Sequence, residues 1–175
     1  FNMDGQAGAP PDDFSVNGQN WGFPTYNWDT MEKDNFSWWR KRFGKLEDYF
    51  DCFRIDHILG FFRIWEVPLD YVQGLCGHFN PALPLTPNEI EQYGLGFDEA
   101  RLTTPHINRE FLPELFGDRT EEVIGTFLAQ SSSRHFVLKP YCDTQRKVEA
   151  LFAGKTDEVS LRIKKGLFAI CLLYT

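Results

Sequence analysis

Residues 36–56 constrain the fold more tightly than any other stretch of the chain. Phe36, Trp39, Phe43, Leu46 and Phe50 recur at alternating spacings of three and four, the repeat that lines one face of a 3.6-residue helix. Lys41, Arg42, Lys45, Glu47 and Asp48 fill the positions between them, so the apolar stripe is expected to pack on a core. Asp34 or Asn35 can cap the start, and Gly44 is tolerated within the helix. Residues 52–56 follow almost at once and read as a short strand, whose period of two puts Phe53 and Ile55 on one face and Arg54 and Asp56 on the other. A helix, a tight turn and a buried strand form the step of an α/β fold. In a (β/α)8 TIM barrel the Phe53 face would meet the outer helices and the Arg54 face the barrel interior. Asp56 would then end its strand at the edge where such barrels build their active sites.

The first 30 residues read as loop. The stretch 5-GQAGAPPDDFSVNGQNWGFPTYNW-28 is dense in Gly, Pro, Asn and Asp, which favour turns. It also carries Phe14, Trp21, Phe23, Tyr26 and Trp28, and a solvated linker has no use for so many rings. A packed Ω-type loop or a binding loop fits better. From residue 69 onward the chain reads as mostly helical, with helices expected near 88–93, 107–116, 120–130 and 143–153 and little strand. The pattern 86-TPNE-89 is a capping box with Pro at the first helical position.

Composition narrows the partners. With 42% apolar and 16% aromatic residues over 175 positions, the chain is neither disordered nor, lacking an uninterrupted apolar run of about 18 residues, membrane-spanning. A formal net charge of -7 would repel a phosphate backbone, so nucleic acid is an unexpected partner and a neutral polar ligand a compatible one. Cys52, Cys76, Cys142 and Cys171 form no metal or disulfide pattern and read as reduced cytoplasmic thiols. No signal peptide is visible. The chain opens without Met and stops inside the apolar run 167-LFAICLLYT-175, which suggests a piece of something longer.

Asp56 is the leading candidate for chemistry. A carboxylate beside Arg54 is favoured in its ionised form, and at a strand end it can act as a nucleophile or stabilise an oxocarbenium ion. A buried structural Arg–Asp pair with His57 as a neighbour explains the same residues equally well. In the aromatic loop, Phe14 and Trp21 lie beside Asn17, Gln19 and Asn20. Rings that stack on the C–H faces of a sugar and amides that meet its hydroxyls are thus supplied together. Tyr26 and Trp28 are expected in a local core instead. His78, His106 and His135 match no metal spacing and read as isolated surface or capping residues. Glu66 reads as a structural hydrogen-bond acceptor.

The segments AGAPPDDFSVNGQNWGFPTYNW and FRIDHILGFFRIWEVP resemble the signatures of the 4-alpha-glucanotransferases (amylomaltases or disproportionating enzymes) of glycoside hydrolase family 77. The form ILGFFRIWE followed by FNPALPLT is similar to the larger subtype, which carries an insertion in the catalytic domain. The resemblance implies a partial (β/α)8 barrel over residues 1–74 and a mostly helical insertion over 75–175. It implies that Asp56 is the nucleophile forming a covalent glucosyl-enzyme, that Arg54 and His57 bind the sugar where cleavage occurs, and that Phe14, Gln19 and Trp21 contact the glucan.

A retaining mechanism needs a second carboxyl group about 5 Å from the first. The family supplies it, and a third acid, from later segments that these residues do not include, so the segment alone is expected to be inactive. The implied reaction transfers alpha-1,4-glucan segments between glucans, without cofactor or metal, on alpha-1,4-glucans and maltooligosaccharides in the cytoplasm. An alpha-glucan hydrolase and a non-catalytic glucan-binding protein are the alternatives.

Overall fold

The computed structural model of the chain describes residues 1–172. It divides into two compact units, one of residues 1–69 with 73–82, the other of residues 70–72 with the chain from Leu83 onward. Both mix helices with antiparallel sheet, so the α/β class holds at the level of mixed composition.

The first unit is built on a four-stranded sheet ordered β2-β1-β3-β4: β1 (Asn2–Ala9), β2 (Gln19–Thr25), β3 (Ile64–Pro68) and β4 (His78–Asn80). The loop expected over residues 1–30 is therefore wrong: it contains two strands and a short helix, α1 (Trp28–Lys33). Its glycines serve close backbone approach as well as turns. A Cβ on Gly8 would lie 2.1 Å from the Gln19 carbonyl oxygen across the β1–β2 ladder, so only glycine lets those strands come together. The sheet is stitched by a polar chain that visits all four strands. Asn2 Nδ2 donates to Thr25 Oγ1 at 3.1 Å, and Thr25 Oγ1 and Asn80 Nδ2 donate to Glu66 Oε2 at 2.9 and 2.8 Å. Glu66 is only 7% exposed, and these donors offset the cost of burying its carboxylate.

The expected helix is α2 (Ser37–Glu47). Asp34 accepts hydrogen bonds from the Ser37 backbone N–H and hydroxyl, which hold its carboxyl below the usual carboxylate range. The apolar stripe does not reach a core: α2 has no buried residue, Trp39, Phe43 and Leu46 are half-buried, and Phe36 and Phe50 are exposed. Residues 52–56 are not a strand. They run as irregular chain into a 3-10 turn, Ile58–Phe61. Alternating side chains are necessary for a strand but not sufficient, since its N–H and C=O groups need a partner ladder, and no described strand pairs with this segment.

The second unit closes an aliphatic and aromatic core around Phe116, Val123, Leu128, Val148, Leu167 and Ile170. Its helices include α3 (Pro87–Gln92), α4 (Glu99–Thr103), α5 (Leu112–Phe116), α6 (Thr120–Phe127), α7 (Gln145–Leu151) and α8 (Glu158–Ile170). The capping box forms as expected: Thr86 Oγ1 accepts from the Glu89 N–H, and the Glu89 carboxylate accepts from the Thr86 N–H. The expected paucity of strand is corrected by a second sheet, β5 (Ile107–Asn108), β6 (Leu128–Gln130) and β7 (His135–Leu138), ordered β5-β7-β6. The helix expected to 130 stops at Phe127 because Leu128 turns extended and pairs with Leu138, where it is buried. Among the described residues no helix is long and apolar enough to cross a membrane.

Candidate active site

A cavity of about 310 Å³ opens in the first unit. One wall is α2, which contributes Trp39, Arg42, Phe43 and Leu46. Trp21 and Phe23 of β2 form another, and the irregular segment from Phe53 to Phe61 completes it. Among the described residues Asp56 is the only carboxylate on these walls, and Arg54 and His57 flank it.

Arg54 Nη2 lies 3.8 Å from Asp56 Oδ1, with the two side chains 89% and 92% exposed. So exposed a pair adds little to stability, and the buried structural pair that the sequence left open is not what forms. His57 has a left-handed backbone (φ 51°, ψ 51°). A non-glycine residue there costs on the order of 1–3 kcal/mol and is found preferentially at functional sites. Its ring meets the Trp21 ring edge-on at 5.3 Å between centroids. Trp21 in turn stacks on Phe23 at 5.8 Å and donates its indole N–H to Gln19 Oε1 at 2.9 Å.

The structure thus brings Arg54, Asp56, His57 and Trp21 to one cavity and sets Gln19 behind Trp21. Phe14 is not on the wall. It stands 96% exposed on a tight turn in which Asp12 Oδ1 accepts from the Phe14 and Ser15 N–H groups. Sequence reasoning missed Arg42, Trp39 and Phe43 as wall residues. Their helical spacing signalled a packing stripe and gave no hint that the stripe faces a cavity. Tyr26 and Trp28 join a ring cluster with Trp38, Trp39 and Phe61, the local packing expected of them, but Tyr26 also lines the cavity. Glu66 is not among the residues lining this cavity, and it accepts the two hydrogen bonds described above.

His106 and His135 are not isolated. Their rings sit 4.3 Å apart, and Ser132 Oγ lies 2.9 Å from His135 Nδ1. His78 is exposed on β4 opposite Glu66. Among the described residues no group of three or more His, Cys, Asp or Glu side chains could hold a metal ion.

An accessible carboxylate beside a guanidinium, framed by ring faces, can present an anionic oxygen to an electrophilic carbon. The same rings can receive an apolar ligand face. A model of glycoside hydrolase family 77, described as 4-alpha-glucanotransferase, matches residues 1–158. The chain belongs to that family. Among similar family members is the 4-alpha-glucanotransferase DPE2 of Oryza sativa subsp. japonica, 43% identical over 173 residues, which cover 96% of this chain and 18% of the rice protein. The chloroplastic/amyloplastic 4-alpha-glucanotransferase of Solanum tuberosum is 48% identical over 90 residues, 50% of this chain and 16% of the potato protein. The chain therefore spans less than a fifth of either relative's length. The solved amylomaltase from Streptococcus agalactiae in complex with acarbose shares 32% identity with a TM-score of 0.42, over 70% of this chain and 28% of that one.

Proposed function

We propose that the chain is the nucleophile-bearing part of a 4-alpha-glucanotransferase that moves alpha-1,4-glucan segments between glucans with retention of configuration. The observation that carries this reading is the meeting of Arg54, Asp56, His57 and Trp21 at one aromatic cavity, in a chain that belongs to a family described by that activity. The substrates are alpha-1,4-glucans and maltooligosaccharides.

Asp56 attacks the anomeric carbon as the glycosidic bond breaks, giving a glycosyl ester. Arg54 stands beside the carboxylate, its Nη2 3.8 Å from Asp56 Oδ1. Together with His57 it holds the sugar at the bond to be cleaved, while Trp21, with Gln19 behind it, and Phe14 guide the glucan. An acceptor 4-hydroxyl then displaces Asp56 and restores the original configuration. The acid that protonates the leaving oxygen, and the third carboxylate, come from residues other than these, since among the described residues Asp56 is the only acid on the cavity walls. No cofactor takes part.

In the assembled enzyme, residues 1–74 would contribute to a (β/α)8 barrel and residues 75–175 to a mostly helical insertion. The barrel reading is supported by family membership. The cytoplasm is the proposed compartment, consistent with four free cysteines. The activity is tested by incubating a protein of the relatives' length that carries this segment with maltotriose. Redistribution into longer and shorter glucans is the expected result. Accumulation of glucose with rising reducing ends would mean a hydrolase, and no turnover with retained glucan binding would mean a binding protein.

A further inference from the structure

The segment that carries Asp56 has almost nothing of its own to hold it. Among the described residues Arg54, Ile55 and Asp56 make no backbone hydrogen bond, and the Asp56 side chain has no hydrogen bond or ion pair beyond the 3.8 Å approach of Arg54. Yet a nucleophile must be placed to within a fraction of an ångström, because a misplacement of about 1 Å can cost on the order of 100-fold in rate. Besides the His57 ring against Trp21, what fixes the segment lies at its two ends. Phe53, just before Arg54, stacks on Phe43 with ring centroids 4.9 Å apart and planes 19° apart. Phe61, four residues after His57, meets Trp39 at 4.8 Å.

Trp39 and Phe43 are i,i+4 neighbours on α2 and stack on each other at 5.2 Å and 24°. One helical face therefore grips both ends of the stretch, whose other ties are the His57 ring against Trp21 and the Gly60 N–H on the His57 carbonyl. A stacked pair gives this grip direction, because offset rings have a preferred separation and tilt that aliphatic contacts lack.

We propose that Trp39 and Phe43 are positioning residues that clamp the Asp56 segment through Phe61 and Phe53 and so set where the carboxylate stands. They touch no reacting atom. The inference rests on the reading of Asp56 as nucleophile. A residue that only held the fold would lower the melting temperature and leave the turnover of folded molecules unchanged. A clamp lowers turnover while the fold persists.

The test uses a protein of the relatives' length carrying this segment, with kcat and KM for maltotriose redistribution measured beside the melting temperature. Phe53→Leu is the principal variant, because Phe53 is 50% exposed and its replacement leaves folding intact. Phe43→Leu and Trp39→Leu act from the other side, and Phe43→Tyr keeps the ring. Leucine at either 43 or 53 is expected to lower kcat by about 10- to 100-fold with KM changed little. Phe43→Tyr should return kcat to within a few-fold of the parent. The Phe43→Leu/Phe53→Leu double variant should be no worse than the poorer single, since both break one contact.

A folded Phe53→Leu protein with kcat within about twofold of the parent would overturn the clamp, as would a loss confined to KM. Asp56→Asn is assayed in parallel. If it stays active, the reading of the nucleophile fails and the clamp with it. If it is inactive while Phe53→Leu is normal, only the clamp fails.

Discussion

From Ile107 onward the chain builds a core of large apolar side chains: Ile107, Leu112, Phe116 and Leu167 are each no more than 2% exposed. In the first 69 residues the buried apolar set is Ala7, Met31 and Val67, while Phe14, Phe23, Phe50, Phe53 and Phe62 stand open. The two units are thus held by different means. One has an aliphatic core closed on itself. The other has a polar chain from Asn2 through Thr25 and Glu66 to Asn80, together with rings that lean on each other around an open cavity. Burial makes a core stable and chemically inert. Half-exposed rings beside an accessible carboxylate stabilise less and leave surface for a ligand. On the proposed reading, the difference separates a unit closed around its own core from the unit that would carry the chemistry.

The contrast breaks most visibly under large-to-small changes. Phe116 is 1% exposed and faces Gly166, whose added Cβ would lie 2.3 Å from the Phe116 ring. Phe116→Ala should cost about 3–5 kcal/mol, whereas Phe62→Ala, at a position 78% exposed, should stay within about 0.5 kcal/mol. Urea unfolding of both variants checks this. Equal losses would erase the distinction between the units. Next in size is Glu66→Leu, which strands the Thr25 and Asn80 donors and should cost about 1–3 kcal/mol. A neutral or stabilising result would show that the polar chain does not hold the sheet.

Ligand affinity sharpens the comparison from the other side. Trp21→Ala should weaken glucan binding several-fold, on the order of 1 kcal/mol for a lost stacking contact, with little change in melting temperature. Phe14→Ala should do the same to a smaller extent, since its ring is off the cavity wall. Calorimetric titration with a maltooligosaccharide measures both. Heavy loss of stability with normal binding would make Trp21 a core residue.

The smallest effect concerns the thiols. Burial pushes the Cys142 thiol up, and that of Cys171 from 9.0 to about 12, while Cys52 is exposed. Cys52 should therefore react with iodoacetamide at pH 8 well before the other two. The neutral Cys171 thiol is favoured in the fold, so its stabilisation is complete below pH 9.0, the unfolded value. It is lost as pH rises toward about 12, where the unfolded chain has already ionised. Equal labelling of Cys52 and Cys171 in the folded chain would show that the second unit opens.

Much of this was legible where the signal is local. The stripe of α2 and the capping box at Thr86 and Glu89 need no knowledge of the rest of the chain. Arg54, Asp56 and His57 stand so close in sequence that their meeting at one cavity needs only a bend. What escaped depends on partners. Strand β1 is half Gly and Ala and becomes a strand because β2 and β3 flank it, a tertiary decision that propensity does not carry. Residues 52–56 alternate like a strand and lack a partner. Ile163, Leu167 and Ile170 carry the helical spacing of α8, which the apolar run from Leu167 onward obscures. The cavity role of Trp39 and Phe43 depends on Phe61 and Phe53, ring contacts that the spacing along α2 does not reveal.

The central claim is that Asp56 attacks the sugar. The most direct measurement is maltotriose redistribution by the Asp56→Asn variant of a protein of the relatives' length, with the melting temperature recorded alongside. The amide is nearly isosteric and Asp56 is exposed, so the fold should be unchanged. An amide cannot form the glycosyl ester, so transfer should fall by about 10³-fold or more. Near-normal turnover by a well-folded Asn variant would contradict the account.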